Sequence, residues 1–336
     1  MVRVGLLSAA LLASLVACFA ARPAAAQDAE RTEEASAEER GEDIVVSLGD
    51  AVEDLGESMS RPAERARIRW DPSWPRYRFD ELVLTLGMGI VMALAEFLPT
   101  RSEANWSSAS DLDLAVQQGL GLDSSGAREA AEIVSDVLVS ALVVWPILVD
   151  PILYTGAGEG AWDVAWQLSL ISLEVFAINH ALNIGLKLLS RRERPIGYYC
   201  ANRPGYDNDP VCADPPPAES FWSGHVSNAF AGAALVCLHH DVLDLFGDEG
   251  TDGAMCGSAL ALAATTGLLR IMSDRHWVTD VMTGALVGSA IGILVPWLLH
   301  YQGGGRPPLS GTSAPPIALA PMVGDETYGV SAFGLW

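Results

Sequence analysis

Positive charge is in short supply: against 42 Asp and Glu, the 336 residues carry only 20 Lys and Arg, a formal net charge of −22 at pH 7. A surface of that sign repels a phosphodiester backbone, so nucleic acid is excluded as a partner. Charge of either sign is thin, at 18% of residues against 50% hydrophobic, and the mean hydropathy is +0.26. That balance departs from soluble enzymes and points to a helical bundle in or against a membrane. Strand-like alternation of any length is missing before the C-terminal tail, so no sheet core is expected. His239, His240 and His300 lack partners at metal-ligand spacing and read as helix-end residues; neither a metal nor another cofactor is expected.

What is present comes in blocks. Arg3, an apolar run from Val4 to about Ala21 and the small residues Ala24, Ala25 and Ala26 form the pattern of a secretory signal spanning 1–26. Leu15-Val16-Ala17-Cys18 offers a second reading, a lipobox with Cys18 lipidated, and an uncleaved anchor is a third. Residues 27–75 are acidic and poor in large apolar side chains, an expected disordered linker. A helical domain is expected over 76–302 and a Gly/Pro-rich tail over 303–336. Within the tail, Ile317–Val323 and Tyr328–Trp336 read as two short strands about a turn at Gly324-Asp325.

Six apolar segments, at about 80–98, 130–149, 164–190, 224–245, 254–271 and 277–300, give the fold class: an all-α, membrane-associated bundle. Several reach the roughly 20 residues that cross a bilayer, the first and fifth only marginally. Ser110–Leu120 reads as a short surface helix. With Cys18 removed, Cys200, Cys212, Cys237 and Cys256 form an even set. Cys200 and Cys212 share one loop and invite a local bridge. Cys237 and Cys256 flank the turn near Gly247–Gly253, where they either bridge two helix ends or pack as small buried residues.

Three polar clusters interrupt the apolar run. Lys187 and Arg194 lie seven residues apart, which at about 100° per residue returns to within roughly 20° of one helix face, and Pro195 ends that helix. His180 lies seven residues before Lys187 on the same face. Ser223-Gly224-His225 precedes the next apolar run, so Ser223 can cap a helix whose free N–H groups attract an anion, and His225 can serve as a general acid. His276 and Asp280 stand at i and i+4, a spacing that lets the carboxylate take one imidazole proton and leave the other nitrogen free as a nucleophile, with Arg270 near by as a guanidinium fork. Ser273-Asp274-Arg275 reads as a polar turn, and the basic run Arg191-Arg192-Glu193-Arg194, taken alone, as a cationic membrane edge.

In order and spacing the clusters resemble the three-part signature of the type 2 phosphatidic acid phosphatase superfamily, K-x6-R-P, P-S-G-H and S-R-x5-H-x3-D, which also includes class A acid phosphatases and vanadium haloperoxidases. Lys187, Arg194 and Pro195 complete the first part. Trp222 stands for the Pro of the second and Leu269 for the Ser of the third; both departures spare the chemical groups. The resemblance implies a metal-independent phosphatase acting on a lipid phosphate or pyrophosphate. In that chemistry His276 is the nucleophile, Asp280 orients it and His225 protonates the leaving alkoxide. Lys187, Arg194, Ser223, Gly224 and Arg270 hold the phosphate. A vanadate-dependent haloperoxidase and a non-catalytic envelope bundle are the alternatives. Arginines between 61 and 78 favour a cytoplasmic start and an extracytoplasmic site three spans later, whereas a cleaved signal implies the reverse. The loop cysteines favour a bacterial envelope protein with a periplasmic site.

Overall fold

Serine, aspartate and proline set most of the helix boundaries. The computed structural model describes residues 67–95, 104–202, 210–213, 216–302, 317–324 and 327–334. The expected signal segment, Cys18 and the linker up to residue 66 lie outside these. The chain divides into two units, Met1–Gly56 and Glu57–Trp336, and every described residue belongs to the second.

Helix α1, Phe79–Ala95, opens where the Glu81 carboxylate accepts the Arg78 backbone N–H at 2.7 Å. Helix α2, Asp111–Leu120, opens on a capping box in which Ser110 and Asp113 satisfy each other's backbone N–H. Helix α3, Ser125–Val144, starts on a Ser124 cap and continues without a break into wider π-helical turns over Trp145–Gly158. Pro146 and Pro151 account for the change of winding, because each removes a backbone donor. Two serines of the next helix replace what is lost: Ser172 Oγ donates to the Pro146 carbonyl at 2.8 Å and Ser169 Oγ to the Ile147 carbonyl at 2.7 Å. The segment expected at 130–149 is therefore longer at both ends.

Helix α4, Trp162–Ser190, stops at Arg191, which takes a left-handed conformation with φ 41°. Helix α5, Pro195–Asn202, begins on its proline and is followed by a 3₁₀ turn at Pro210–Ala213. Helix α6, Gly224–Leu243, is capped by Ser223, and α7, Glu249–Met272, by Asp248. Helix α8, Val278–Leu299, closes the bundle. Among the described residues, five helical segments are long and apolar enough to cross a membrane: α3 with its π continuation, α4, α6, α7 and α8. The described part of α1 is 17 residues, at the lower edge of the spanning range, while the marginal fifth segment lengthens to 24 residues in α7.

Helix α6 is the axis, with Val226, Ala229, Ala231, Ala233 and Leu235 fully buried. Its neighbours approach it backbone to backbone. A methyl group added to Gly284 would lie 2.8 Å from the Ser223 carbonyl oxygen, and one on Gly292 would lie 2.7 Å from that of Ala231. Between them Gly288 rests directly on the Ser227 carbonyl, and from α6 itself Gly232 rests on that of Leu142 in α3. This spacing of small residues is what packs helices where hydrophobic driving force is weak. Two disulfides add covalent ties, Cys200–Cys212 between α5 and the 3₁₀ turn and Cys237–Cys256 between α6 and α7.

The starts of α3, α6 and α8 and the ends of α4 and α7 meet at one end of the bundle. At the other end Ile68 and Trp70 are buried, Trp70 and Trp74 pack on Tyr301, and Arg67 donates to the Asp244 carbonyl at 2.6 Å. The described part of the expected linker, from residue 67 on, is thus docked on the bundle. The tail forms an antiparallel hairpin, β1 Ile317–Gly324 and β2 Thr327–Gly334, in register from Ile317 opposite Gly334 to Gly324 opposite Thr327. The turn expected at Gly324-Asp325 extends outside the described residues.

Candidate active site

The site is built on a buried arginine that the sequence reading assigned to a membrane edge. With α4 ended at Arg191, the next residue turns inward and is only 1% exposed. Arg192 Nη1 donates to Asp280 Oδ1 at 2.5 Å and to Thr279 Oγ1 at 2.7 Å, and Nη2 donates to Asp113 Oδ2 at 2.7 Å. Its guanidinium lies 4.1 Å from the Trp106 ring centroid. Planar, forked and weakly hydrated, arginine suits such a position where lysine does not. Asp113 ties α2 to the start of α8 through Thr279, whose N–H and hydroxyl it accepts at 3.1 and 2.8 Å. The surface helix expected over 110–120 is present, and it turns two buried side chains, Asp113 and Gln117, toward the bundle. Burial opposes ionisation of Asp113, but hydrogen bonds from Thr279 and Ser110 and the Arg192 charge together hold its carboxyl below the usual range.

His276 is buried beside this knot. Its Nδ1–H donates to the Ser220 carbonyl at 2.8 Å, which assigns the proton to Nδ1 and leaves Nε2 with a lone pair. The direct carboxylate bond expected from the i, i+4 spacing is not made: His276 Nδ1 and Asp280 Oδ2 stand 3.9 Å apart. The reason is local. Helix α8 begins at Val278 with Trp277 as its cap, so His276 lies outside the helix and the helical spacing does not apply to it. Asp280 turns back to accept the Trp277 N–H at 3.0 Å and the Ser220 hydroxyl at 2.5 Å. It orients His276 at one remove, by holding Ser220.

The cations converge on the same imidazole. Burial, then the charges of Arg194, Arg270, Lys187 and His225, push the His276 pKa well below its ordinary value, so the ring is neutral at pH 7. Arg194 Nη1 donates to the Arg275 carbonyl at 3.2 Å; burial and the Arg275 charge bring its pKa down to about 10, leaving it cationic. Lys187, the only lysine in the sequence, lies over the start of α6: a methyl on Gly224 would be 3.5 Å from its Nζ and 2.7 Å from Asn183 Oδ1. Ammonium and free helix N–H groups thus face one anion position. Asn183, absent from the sequence-derived site, donates to the Trp222 carbonyl at 2.9 Å and fixes the loop before α6. Ser223 is buried, with its hydroxyl capping Val226 at 3.4 Å and its N–H donating to the Asp280 carbonyl at 3.2 Å.

Helix α3 supplies an acidic ridge that sequence reasoning also missed. Asp136 Oδ1 stands 2.9 Å from His225 Nε2 and 3.4 Å from Arg270 Nη1, and Glu132 accepts from Arg275 Nη2 at 2.6 Å. The polar turn at 273–275 is confirmed as a turn, but a buried one, with Asp274 accepting from Gln117 at 2.6 Å. At the opposite end His240 lies between Asp252 at 2.5 Å and Asp150 at 3.4 Å, and His300 pairs with Glu174 at 2.8 Å. Among the described residues no group of three His, Cys, Asp or Glu is arranged to hold a metal ion.

Residues 168–303 match the PAP2 superfamily. The match is to this segment and not to the whole chain. It begins inside α4 and so contains every residue of the three clusters. Within the chain, 81 residues are 37% identical to the lipid A 1-phosphatase of Porphyromonas gingivalis, a stretch covering 24% of this chain and 16% of that protein. The chain therefore matches only about a sixth of that relative's length. A crystal structure of a transmembrane PAP2-type phosphatidylglycerolphosphate phosphatase from Bacillus subtilis aligns with 66% of this chain and 96% of its own, at 20% identity and a TM-score of 0.41. The matched segment carries Lys187, Arg194, Arg270, His225, His276 and the Asp280–Ser220 contact at one end of the helices.

Proposed function

We propose that this PAP2-like segment hydrolyses a lipid phosphate or pyrophosphate through a phosphohistidine on His276. The observation that carries this is the neutral imidazole with Nε2 free, set among Lys187, Arg194, Arg270 and His225. Nε2 attacks phosphorus, and the P–O bond to the lipid breaks with its electron pair leaving on oxygen. His225, held by Asp136, is the general acid: in its doubly protonated form it gives that oxygen a proton and becomes neutral. Water then attacks the phosphohistidine; neutral His225 takes a proton from it, inorganic phosphate leaves and His276 is regenerated. Lys187, Arg194, Arg270 and the Gly224 N–H stabilise the charge on the equatorial oxygens, so the chemistry needs no metal ion.

The lipid character of the substrate is supported by the apolar helices that carry the site, and by the lipid A 1-phosphatase relative. An extracytoplasmic site is supported by the Cys200–Cys212 disulfide at the site end of the bundle. That orientation puts the Arg-rich stretch 67–78 on the cytoplasmic side, as the positive-inside tendency favours. The test is phosphate release from phosphatidic acid, a lipid pyrophosphate and a lipid A 1-phosphate. His276→Ala is expected to abolish turnover of whichever is cleaved, whereas His225→Ala is expected to accumulate the phosphoenzyme. Full turnover by His276→Ala would refute the mechanism.

A further inference from the structure

A cavity of about 660 Å³ lies between α1, α4 and the end of α3, lined mainly by apolar side chains such as Leu86, Ile90, Leu173 and Phe176. That is the size and character of a small-molecule site. Of its polar lining residues, His180 and Asn228 lie nearest the site in sequence, with Tyr77 and Thr85 at the other end. The first pair points back to the phosphate cage along the helices that build it. Asn228 lies one turn beyond Gly224 on α6, and His180 lies two turns before Lys187 on one face of α4. Asn179, next to His180 on α4, ties α4 to α6 by donating to Asn228 Oδ1 at 2.6 Å and to Ser227 Oγ at 3.1 Å.

The dimensions fit one leaflet of a membrane. The α4 lining runs from Leu170 to His180, about 15 Å at 1.5 Å per residue, which is half of a hydrocarbon core about 30 Å thick. The Tyr77 hydroxyl and Thr85 Oγ1, both of which line the cavity, are 2.7 Å apart and satisfy each other. Toward α1 the cavity opens sideways: Leu86 and Ile90 line it yet are 55% and 62% exposed.

We propose that this cavity is the binding site for one hydrocarbon chain of the lipid whose phosphate occupies the cage, entering from the bilayer between α1 and α4. The inference rests on the lipid-phosphatase reading and adds where the chain lies. A substrate then spans both regions, with its phosphate at Gly224 and Lys187, its glycerol or sugar linkage past Asn183 and His180, and its chain along α4. Binding energy from the remote chain helps to place phosphorus against His276.

Gly89 offers the test, because a side chain added there meets no atom within 4 Å. Gly89→Phe is expected to fill the cavity, lowering kcat/KM for a long-chain phosphatidic acid at least tenfold while leaving hydrolysis of a short, water-soluble phosphate ester within twofold. An equal fall for both substrates, or no fall for either, overturns the proposal. A second measurement does not depend on turnover. Wild-type protein in phosphatidylcholine nanodiscs is photolabelled with phosphatidic acid carrying a diazirine midway along one acyl chain, and the adducts are mapped by mass spectrometry. Adducts are expected on residues 82–90 and 170–180, suppressed by unlabelled phosphatidic acid and by Gly89→Phe. Equal labelling of those residues by phosphatidylcholine with the same diazirine identifies an annular lipid surface and overturns the assignment. Retained hydrolysis in His276→Ala refutes the catalytic reading alone, since the adduct map reports the chain site separately.

Discussion

Replacing Arg192 with methionine tests the knot on which the site is built. The substitution keeps an unbranched side chain of useful length but removes a guanidinium that serves two buried carboxylates, Asp113 and Asp280, and the Thr279 hydroxyl. Breaking one buried ion pair and leaving its partner charged costs about 3–5 kcal/mol. At about 1.4 kcal/mol per decade, that is two to nearly four decades in the folding equilibrium. The double variant Arg192→Met/Asp113→Asn removes one of the stranded charges and is expected to recover about 1–3 kcal/mol, the range of coupling between contacting residues. Arg192→Lys keeps a charge but cannot fork to both carboxylates, and is expected to fall between. Thermal unfolding in detergent, followed by tryptophan fluorescence, measures the order, and phosphate release measures whether Ser220 and His276 remain in place. An Arg192→Met protein with wild-type melting and turnover would show that the knot contributes nothing.

Other expectations follow from the same contacts. Asp280→Asn and Ser220→Ala, acting on His276 through one relay, are expected to lower kcat with little change in KM and to be non-additive when combined; additive losses contradict the relay. Because the folded His276 pKa lies below the ordinary imidazole value of about 6.5, the proposed nucleophile is neutral at pH 7, and its limb of the kcat/KM profile is expected below pH 6.5. The linkage has the same sign: the unfolded chain binds this proton first, so stability is complete above pH 6.5 and declines on acidification towards the folded pKa, as pH-dependent unfolding can record. Asp136→Asn removes the carboxylate on His225 Nε2 and is expected to slow esters with poor leaving groups more than those with good ones.

The bundle was legible because its signals are local: apolar runs of spanning length, Ser or Asp at helix starts, proline at breaks. The proposed cage is drawn from Lys187, Arg194, Ser223, Gly224, His225, Arg270 and His276 because they come in ordered, spaced groups. Partners set by tertiary contact were not legible. Asp113 reaches Arg192 from a separate helix, and nothing in the run Arg191-Arg192-Glu193 marks which arginine turns inward; the left-handed end of α4 decides it. Asp136 and Asn183 sit in apolar helices where isolated polar residues carry no pattern. The His276–Asp280 spacing misled for a definable reason, since helix α8 starts between the two residues and the carboxylate is spent on capping.

The solitary lysine at the start of α6 has a practical meaning. In a chain whose other fixed cations are guanidinium groups, Lys187 is the one side-chain amine. Reductive methylation with labelled formaldehyde therefore marks the phosphate cage and the chain terminus and no other position. The resulting dimethylammonium resonance becomes a built-in reporter of whether an anion occupies the site, readable in a membrane mimetic without any engineered probe.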